Sequence, residues 1–232
     1  MAQESQAANE LAFQFLELGD HINAGVSPAE ALDRLVALAQ QFVPGADWVS
    51  VTQGGAAPRC LAATDDIART ADQLQTDTNQ GPCLQAAEEH TVIVSQDLAT
   101  ESRWPQFTAQ VRGATPIRST LAFELSEQQP PCALNLYAGS PNAFDSDSIN
   151  AASLFAAHAQ VAVMHLNAAA KSANLEQALT TSRQIGMALG ILMSAHRITA
   201  EKAFEQLRVS SQQLQRKLRD VAREVTETGT LP

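Results

Sequence analysis

"IRSTLAFEL" (117–125) and "CALNLYAG" (132–139) are short apolar or alternating runs bounded by proline and glycine, and reading them as strands decides the class of fold. Working outward, "DWVSVTQ" (47–53), "PRCLAAT" (58–64) and "HTVIVSQ" (90–96) have the same character, and Gly54-Gly55 between the first two reads as a hairpin turn. Helical patches lie among them: "DDIARTADQLQ" (65–75), "GPCLQAAEEH" (81–90) and "ESRWPQFTAQVRG" (101–113). Strands clustered in mid-chain with helices on both sides predict an α+β fold, a layer with one antiparallel sheet.

Both flanks are helical. Upstream, Leu11, Phe15, Leu18 and Ile22 recur at steps of three and four and predict a helix over about Asn9–Asn23. A second helix starts at "SPAEALDRLVALAQQF" (27–42), with Ser27 as cap, Pro28 in the first helical position, and Ala31, Leu32, Leu35, Leu38 and Ala39 on one face. Downstream, residues 146–195 contain no proline and only two glycines, a single long helix capped by Asp145 or Ser146. Its spacing fits a heptad, with Val161, Ala168, Leu175, Ser182 and Leu189 at one seam position and Met164, Lys171, Ala178, Ile185 and Leu192 at the other. Half of these residues are small or polar, which describes an adjustable coil; the alternative is a helix packed only on its own domain.

The chain ends in a small helical module. Thr199 is placed to cap a helix with Glu201 in its first turn and Ala203, Phe204, Leu207 and Ser211 on one face. In the last helix Leu214, Leu218, Val221, Ala222 and Val225 gather on one side and Arg216, Arg219 and Arg223 on the other. The economical reading is three helices closing on one apolar core.

Composition narrows the function. The net charge of -10 hides an asymmetry: residues 1–180 carry 7 Lys/Arg against 20 Asp/Glu, and residues 181–232 carry 8 against 5. The acidic part repels polyanions, whereas Arg208, Arg216, Lys217, Arg219 and Arg223 in the tail have the chemistry to bind phosphates or stack on bases. The competing reading is a solvated face, since Asp220 and Glu227 share that surface. No unbroken apolar stretch approaches the roughly 20 residues of a membrane span and the first residues lack a signal-peptide pattern, so no membrane association and a cytoplasmic location are expected. Cys60, Cys83 and Cys132 form no CxxC pair and are expected as reduced thiols. Cys83, at a helix start, has a second reading as a reactive thiol activated by the helix dipole. His158 and His165 stand too far apart along one helix to share a metal, and His21, His90 and His196 have no partner at a ligand spacing. No nucleophile elbow, phosphate loop or dinucleotide fingerprint occurs. Catalytic residues, metal ligands and a resident cofactor are therefore not expected.

"RQIGMALGILM" (183–193), "TAEKAFEQLR" (199–208), "SSQQLQRKLRDVAREV" (210–225) and "TGTLP" (228–232) together resemble the ANTAR domain of bacterial transcription antiterminators over Ser182 to Pro232. "GPCLQAA", "DLATESRWPQF", "STLAFEL" and "ALNLYAG" resemble the GAF domains found ahead of ANTAR domains, over about Leu11 to Ala170. The resemblance implies a GAF-like sensor domain over residues 1–170, a coiled-coil linker helix over 146–181 overlapping its end, and an ANTAR domain over 182–232. It implies an RNA-binding antitermination regulator, a homodimer that holds tandem stem-loops in nascent transcripts while the GAF domain senses an unidentified small-molecule ligand, a redox state or a partner. On that reading Arg208, Arg216, Lys217 and Arg219 contact phosphates or stack on loop bases. Gln184, Ala188, Ser211 and Gln215 offer close approach and base-edge hydrogen bonds. Two positions depart from the family: Leu189 stands where a lysine is frequent, and Gln215 where an asparagine is. The alternative function is a dimeric signalling adaptor whose tail engages a protein; an enzyme working in the GAF pocket is the weaker rival.

Overall fold

Ser27 opens the first described helix, α1 (Pro28–Phe42), through a capping box: its hydroxyl accepts the Glu30 amide and the Glu30 carboxylate accepts the Ser27 amide. The computed structural model describes residues 27–55, 58–126 and 130–232, so the helix expected over Asn9–Asn23 lies outside the described residues. Two compact units divide the chain, Met1–Asn167 and Ala168–Pro232.

In the first unit every expected strand forms. The strands β1 (Trp48–Gln53), β2 (Arg59–Ala63), β3 (Val92–Ser95), β4 (Ser119–Ser126) and β5 (Cys132–Ala138) make one sheet, with order β2-β1-β5-β4-β3 and every pairing antiparallel. Helices α2 (Asp66–Thr78), α3 (Pro82–Glu89) and α4 (Pro105–Ala114) lie between them in sequence. The α+β class with a single antiparallel sheet is therefore as expected. The last helical patch begins four residues later than its pattern: Pro105 disfavours helical geometry at Trp104, and Glu101 and Arg103 instead close a turn with a 2.6 Å ion pair.

Strand pleat sorts the side chains onto two faces. Val49, Val51, Leu121, Phe123, Leu134 and Leu136 join α1 and the first turns of α5 (Ser146–His196), including Phe155, Ala159 and Val163, in one core. On the other face Ala122 and Tyr137 pack with Ala68 and Ala71 of α2, Ala86 of α3, and Phe107 and Val111 of α4. Asp145, and not Ser146, caps α5, its carboxylate accepting the Asp147 and Ser148 amides at 3.0 and 2.9 Å. By length and composition alone α5 is apolar enough to cross a membrane, with an 18-residue window of mean hydropathy 1.2. Its residues Ala152, Phe155, Ala156, Ala159, Ala162 and Val163 are core residues against the sheet.

The second unit closes the end of α5 with α6 (Ala200–Gln213) and α7 (Leu218–Thr228) around Ala188, Leu192, Ala203, Leu207, Val221, Ala222 and Val225. Thr199 caps α6 as expected. Three details differ from the sequence pattern. The inner face of α6 is Ala203, Leu207 and Ser210, which leaves Phe204 42 % exposed. The last helix starts at Leu218, because Gln215 takes a left-handed φ of 53° and breaks the helical run; Leu214 is exposed and Arg216 sits in the turn. Of the heptad positions, Ile185, Leu189 and Leu192 belong to or pack on the three-helix core, while Val161, Met164, Ala168, Lys171, Leu175, Ala178 and Ser182 are exposed.

Leu134, fully buried on the central strand, supports the larger core. Leu134→Ala is expected to lower the stability of the first unit by about 2–5 kcal/mol, read as a fall in the urea midpoint of that unit's transition.

Candidate functional site: a polar pocket on the sheet and a basic helical turn

Between α2, α3 and the β1–β2 end of the sheet lies a cavity of about 330 Å³, whose charged lining residues are Asp72, Arg59 and Arg69. Its lining residues Asp72, Gln75 and Thr52 continue into a polar network that reaches Asn135 and Tyr137 behind them, set into an otherwise apolar layer. Asp72, only 5 % exposed, accepts hydrogen bonds through Oδ1 from the Tyr137 hydroxyl at 2.7 Å and the Asn135 amide at 3.1 Å. The Asn135 amide also reaches Thr52 Oγ1 at 3.0 Å. Gln75 ties the network to α3, donating to the Tyr137 oxygen at 2.8 Å and accepting the Cys83 amide at 2.8 Å. Gly81, at φ 142°, makes that join possible: a Cβ there would strike the Gln75 side chain, which explains the glycine of "GPC".

Burial governs the electrostatics of this network. Desolvation pushes the Asp72 carboxyl up to about 6, against the hydrogen bonds from Tyr137 and Asn135 and the nearby Ser50 that favour its charged form. The same cause pushes the Cys83 thiol up to about 12 and Cys60 up to about 11, and raises Cys132 and Tyr137. Cys83 does sit at a helix start, but desolvation raises its thiol there, which speaks against the activated-thiol reading. The pocket network was missed at the sequence level. Its signal was the polar Asp72 and Gln75 on the same helical face as Ala68 and Ala71. His90 does find a partner, Glu124 at 2.9 Å, but no group of three metal-ligating side chains occurs among the described residues.

The second site is the turn from α6 to α7. Ser211 donates to the Arg216 carbonyl at 2.6 Å, which draws Ser211, Gln215, Arg216 and Lys217 together, with Arg219 in the first turn of α7. Lys217 is the N-cap residue of α7 with no side-chain cap, so cationic side chains surround a helix end that itself favours anions. Carboxylates share this surface: Arg208 pairs with Glu205 at 2.6 Å, Arg216 with Glu224 at 2.6 Å, and Asp220 lies 3.9 Å from Arg219 and 3.7 Å from Arg223. Arg208 lies one turn back along α6, and Gln184 is half-buried on α5. Ala188 is a correction: it is wholly buried in the three-helix core and has no surface to offer. Leu189 likewise packs on that core, so a leucine there serves packing.

The family model of the GAF domain matches residues 25–164, more than half the chain, and that of the ANTAR domain matches residues 173–225. This chain is a GAF–ANTAR protein. A GAF domain is a sensory module and an ANTAR domain an RNA-binding antitermination module. Comparison with the curated proteins finds no match. Among solved structures, the fold is similar to the GAF domain of a phosphoenolpyruvate-protein phosphotransferase from Coxiella burnetii, with 16 % identity and a TM-score of 0.52 over 71 % of this chain and 98 % of that one. The GAF domain of the Acinetobacter phosphoenolpyruvate-protein phosphotransferase is similar at 12 % identity and a TM-score of 0.51, covering 69 % of this chain and 96 % of that one. At these identities the likeness is one of fold.

Because the Asp72 carboxyl titrates higher in the folded chain than at its ordinary 3.8, its protonated form favours the native state; that contribution is complete below 3.8 and lost as pH rises through about 6. Asp72→Asn is accordingly expected to be more stable than the parent at pH 8, by roughly 1–3 kcal/mol, and to show no such advantage at pH 3.5. Thermal melts at the two pH values check this.

Proposed function

We propose that this GAF–ANTAR protein is a cytoplasmic transcription antitermination regulator, free of the membrane. It works as a homodimer whose ANTAR domains hold tandem stem-loops in nascent RNA, under the control of a signal sensed by the GAF domain. The observation that carries the RNA reading is the α6–α7 turn. It gathers Arg216, Lys217 and Arg219 around a helix N-terminus, with Ser211 and Gln215 beside them as hydrogen-bonding groups. Arg208 extends the cationic surface along α6, and Gln184 lies on α5. Phosphates meet the cations while splayed loop bases meet the guanidinium planes and amides. Ala188 belongs to the three-helix core and takes no part in this surface.

Dimerisation is supported by the uncovered side of α5, where Leu175 and Leu179 are 60 % and 62 % exposed and Val161 and Met164 are also exposed. Apolar residues repeating on one exposed helix face fit a second copy of the same helix. A signal in the GAF pocket would change that pairing and so present or hide two ANTAR units.

The internal ion pairs of Arg208 and Arg216 favour the alternative, a signalling adaptor with a protein partner, and RNA binding separates the two. Electrostatic contact predicts affinity for a looped RNA that falls as salt rises, and shallower salt slopes for Arg216→Ala and Lys217→Ala, each by about one ion. Filter binding at two salt concentrations measures this. Unchanged slopes in both variants would remove the turn from the contact face, and a preference for protein over looped RNA in a pull-down would favour the adaptor.

A further inference from the structure

Asp72 Oδ2 is buried with no hydrogen bond of good geometry, although the Ser50 hydroxyl, itself unpartnered, and the Cys60 thiol are near enough to favour its charge, and the Asn135 carbonyl oxygen Oδ1 is likewise buried and unpartnered. A buried acceptor left unmade is costly, more so when it is charged. Of the described residues that carry such an atom, Asp72 is the one that lines the cavity. The remaining charges on that lining are opposite in sign. Arg59 and Arg69 are exposed lining residues, with Arg59 Nε donating to the Gln53 side-chain oxygen Oε1 at 3.0 Å, and Arg69 donating to Cys60 Sγ at 3.7 Å and lying 4.0 Å from Asp66. The lining is thus anionic at Asp72 and cationic at Arg59 and Arg69.

We propose that this pocket binds a small bipolar molecule, with a guanidinium, amidinium or ammonium head on the Asp72 carboxylate and a carboxylate or phosphate end held by Arg59 and Arg69. The inference rests on the sensor reading of the GAF domain and names the class of its signal. Size agrees: about 330 Å³ lies at the low end of ligand cavities and admits a molecule of amino-acid dimensions. A bare metal ion is a poorer occupant, since the described residues hold no cluster of three ligating side chains.

The groups that face Asp72 leave it alone in titrating. Tyr137 on β5, Cys60 on β2 and Cys83 on α3 are all raised and remain neutral, and the other charged lining residues are the guanidinium groups of Arg69 on α2 and Arg59 on β2. Head-group binding therefore follows the ionisation of Asp72.

The probe is 4-guanidinobutyrate, with butyrate as the anion-only control, added to the full chain and followed by thermal shift and calorimetry. At pH 8 the probe raises the melting temperature of the GAF unit and butyrate does not. At pH 5 its affinity falls about tenfold as Asp72 takes up a proton. Asp72→Asn, in which the network keeps its shape but not its charge, loses the response, and the exposed Arg69→Gln weakens it. No response in the parent, or an equal response in Asp72→Asn, overturns the assignment. RNA affinity measured with and without bound probe reports separately on the sensor reading: binding that leaves RNA affinity unchanged overturns control by the pocket and leaves the ligand class standing.

Discussion

The pleat of β5 is the constraint on which the first unit depends. Leu134 and Leu136 point to the core shared with α1 and α5, and Asn135 and Tyr137 point to the opposite layer. A slip of one residue against β1 or β4 would bury the amide and the phenol among leucines and turn the leucines onto Asp72. Register is thus fixed twice, by apolar burial on one side and by hydrogen bonds on the other. The polar side is the weaker packing surface, and it is where a cavity forms.

Much of this architecture is local and was legible for that reason. The strands announce themselves by short apolar runs between turn residues, and α1 by a cap, a proline and a periodic face. The charge on Asp72 was not legible in the same way. Within "DDIARTADQLQ" an acid reads as solvated; what buries it is Asn135 and Tyr137, 63 and 65 positions away. Tertiary contact, and not local pattern, makes the site. The start of α7 failed for a different reason. Its apolar period runs unbroken through Leu214 and Leu218, and the residue that breaks it, Gln215 at φ 53°, carries no turn signature. Asparagine tolerates that left-handed conformation more easily, which gives a backbone reason for its frequency at this position in the family.

The basic tail illustrates how far charge pattern reaches. Counting arginines points to a surface, and their partners set its charge. Glu205, Glu224 and Asp220 each lie against an arginine, so on the proposed reading a polyanion exchanges carboxylate for phosphate at Arg208, Arg216 and Arg223, while Lys217 makes no such ion pair among the described residues. Such exchange favours discrimination over raw attraction, because only a backbone that matches the arginine geometry recovers what is broken.

Residues 168–180 of α5 are exposed along their whole length within the chain. Helical hydrogen bonds with no tertiary packing laid over them open locally at low cost. Backbone amides there will trade hydrogen for deuterium sooner than those at either end of the same helix, and protection across that stretch is the direct spectroscopic sign of whatever comes to lie on it.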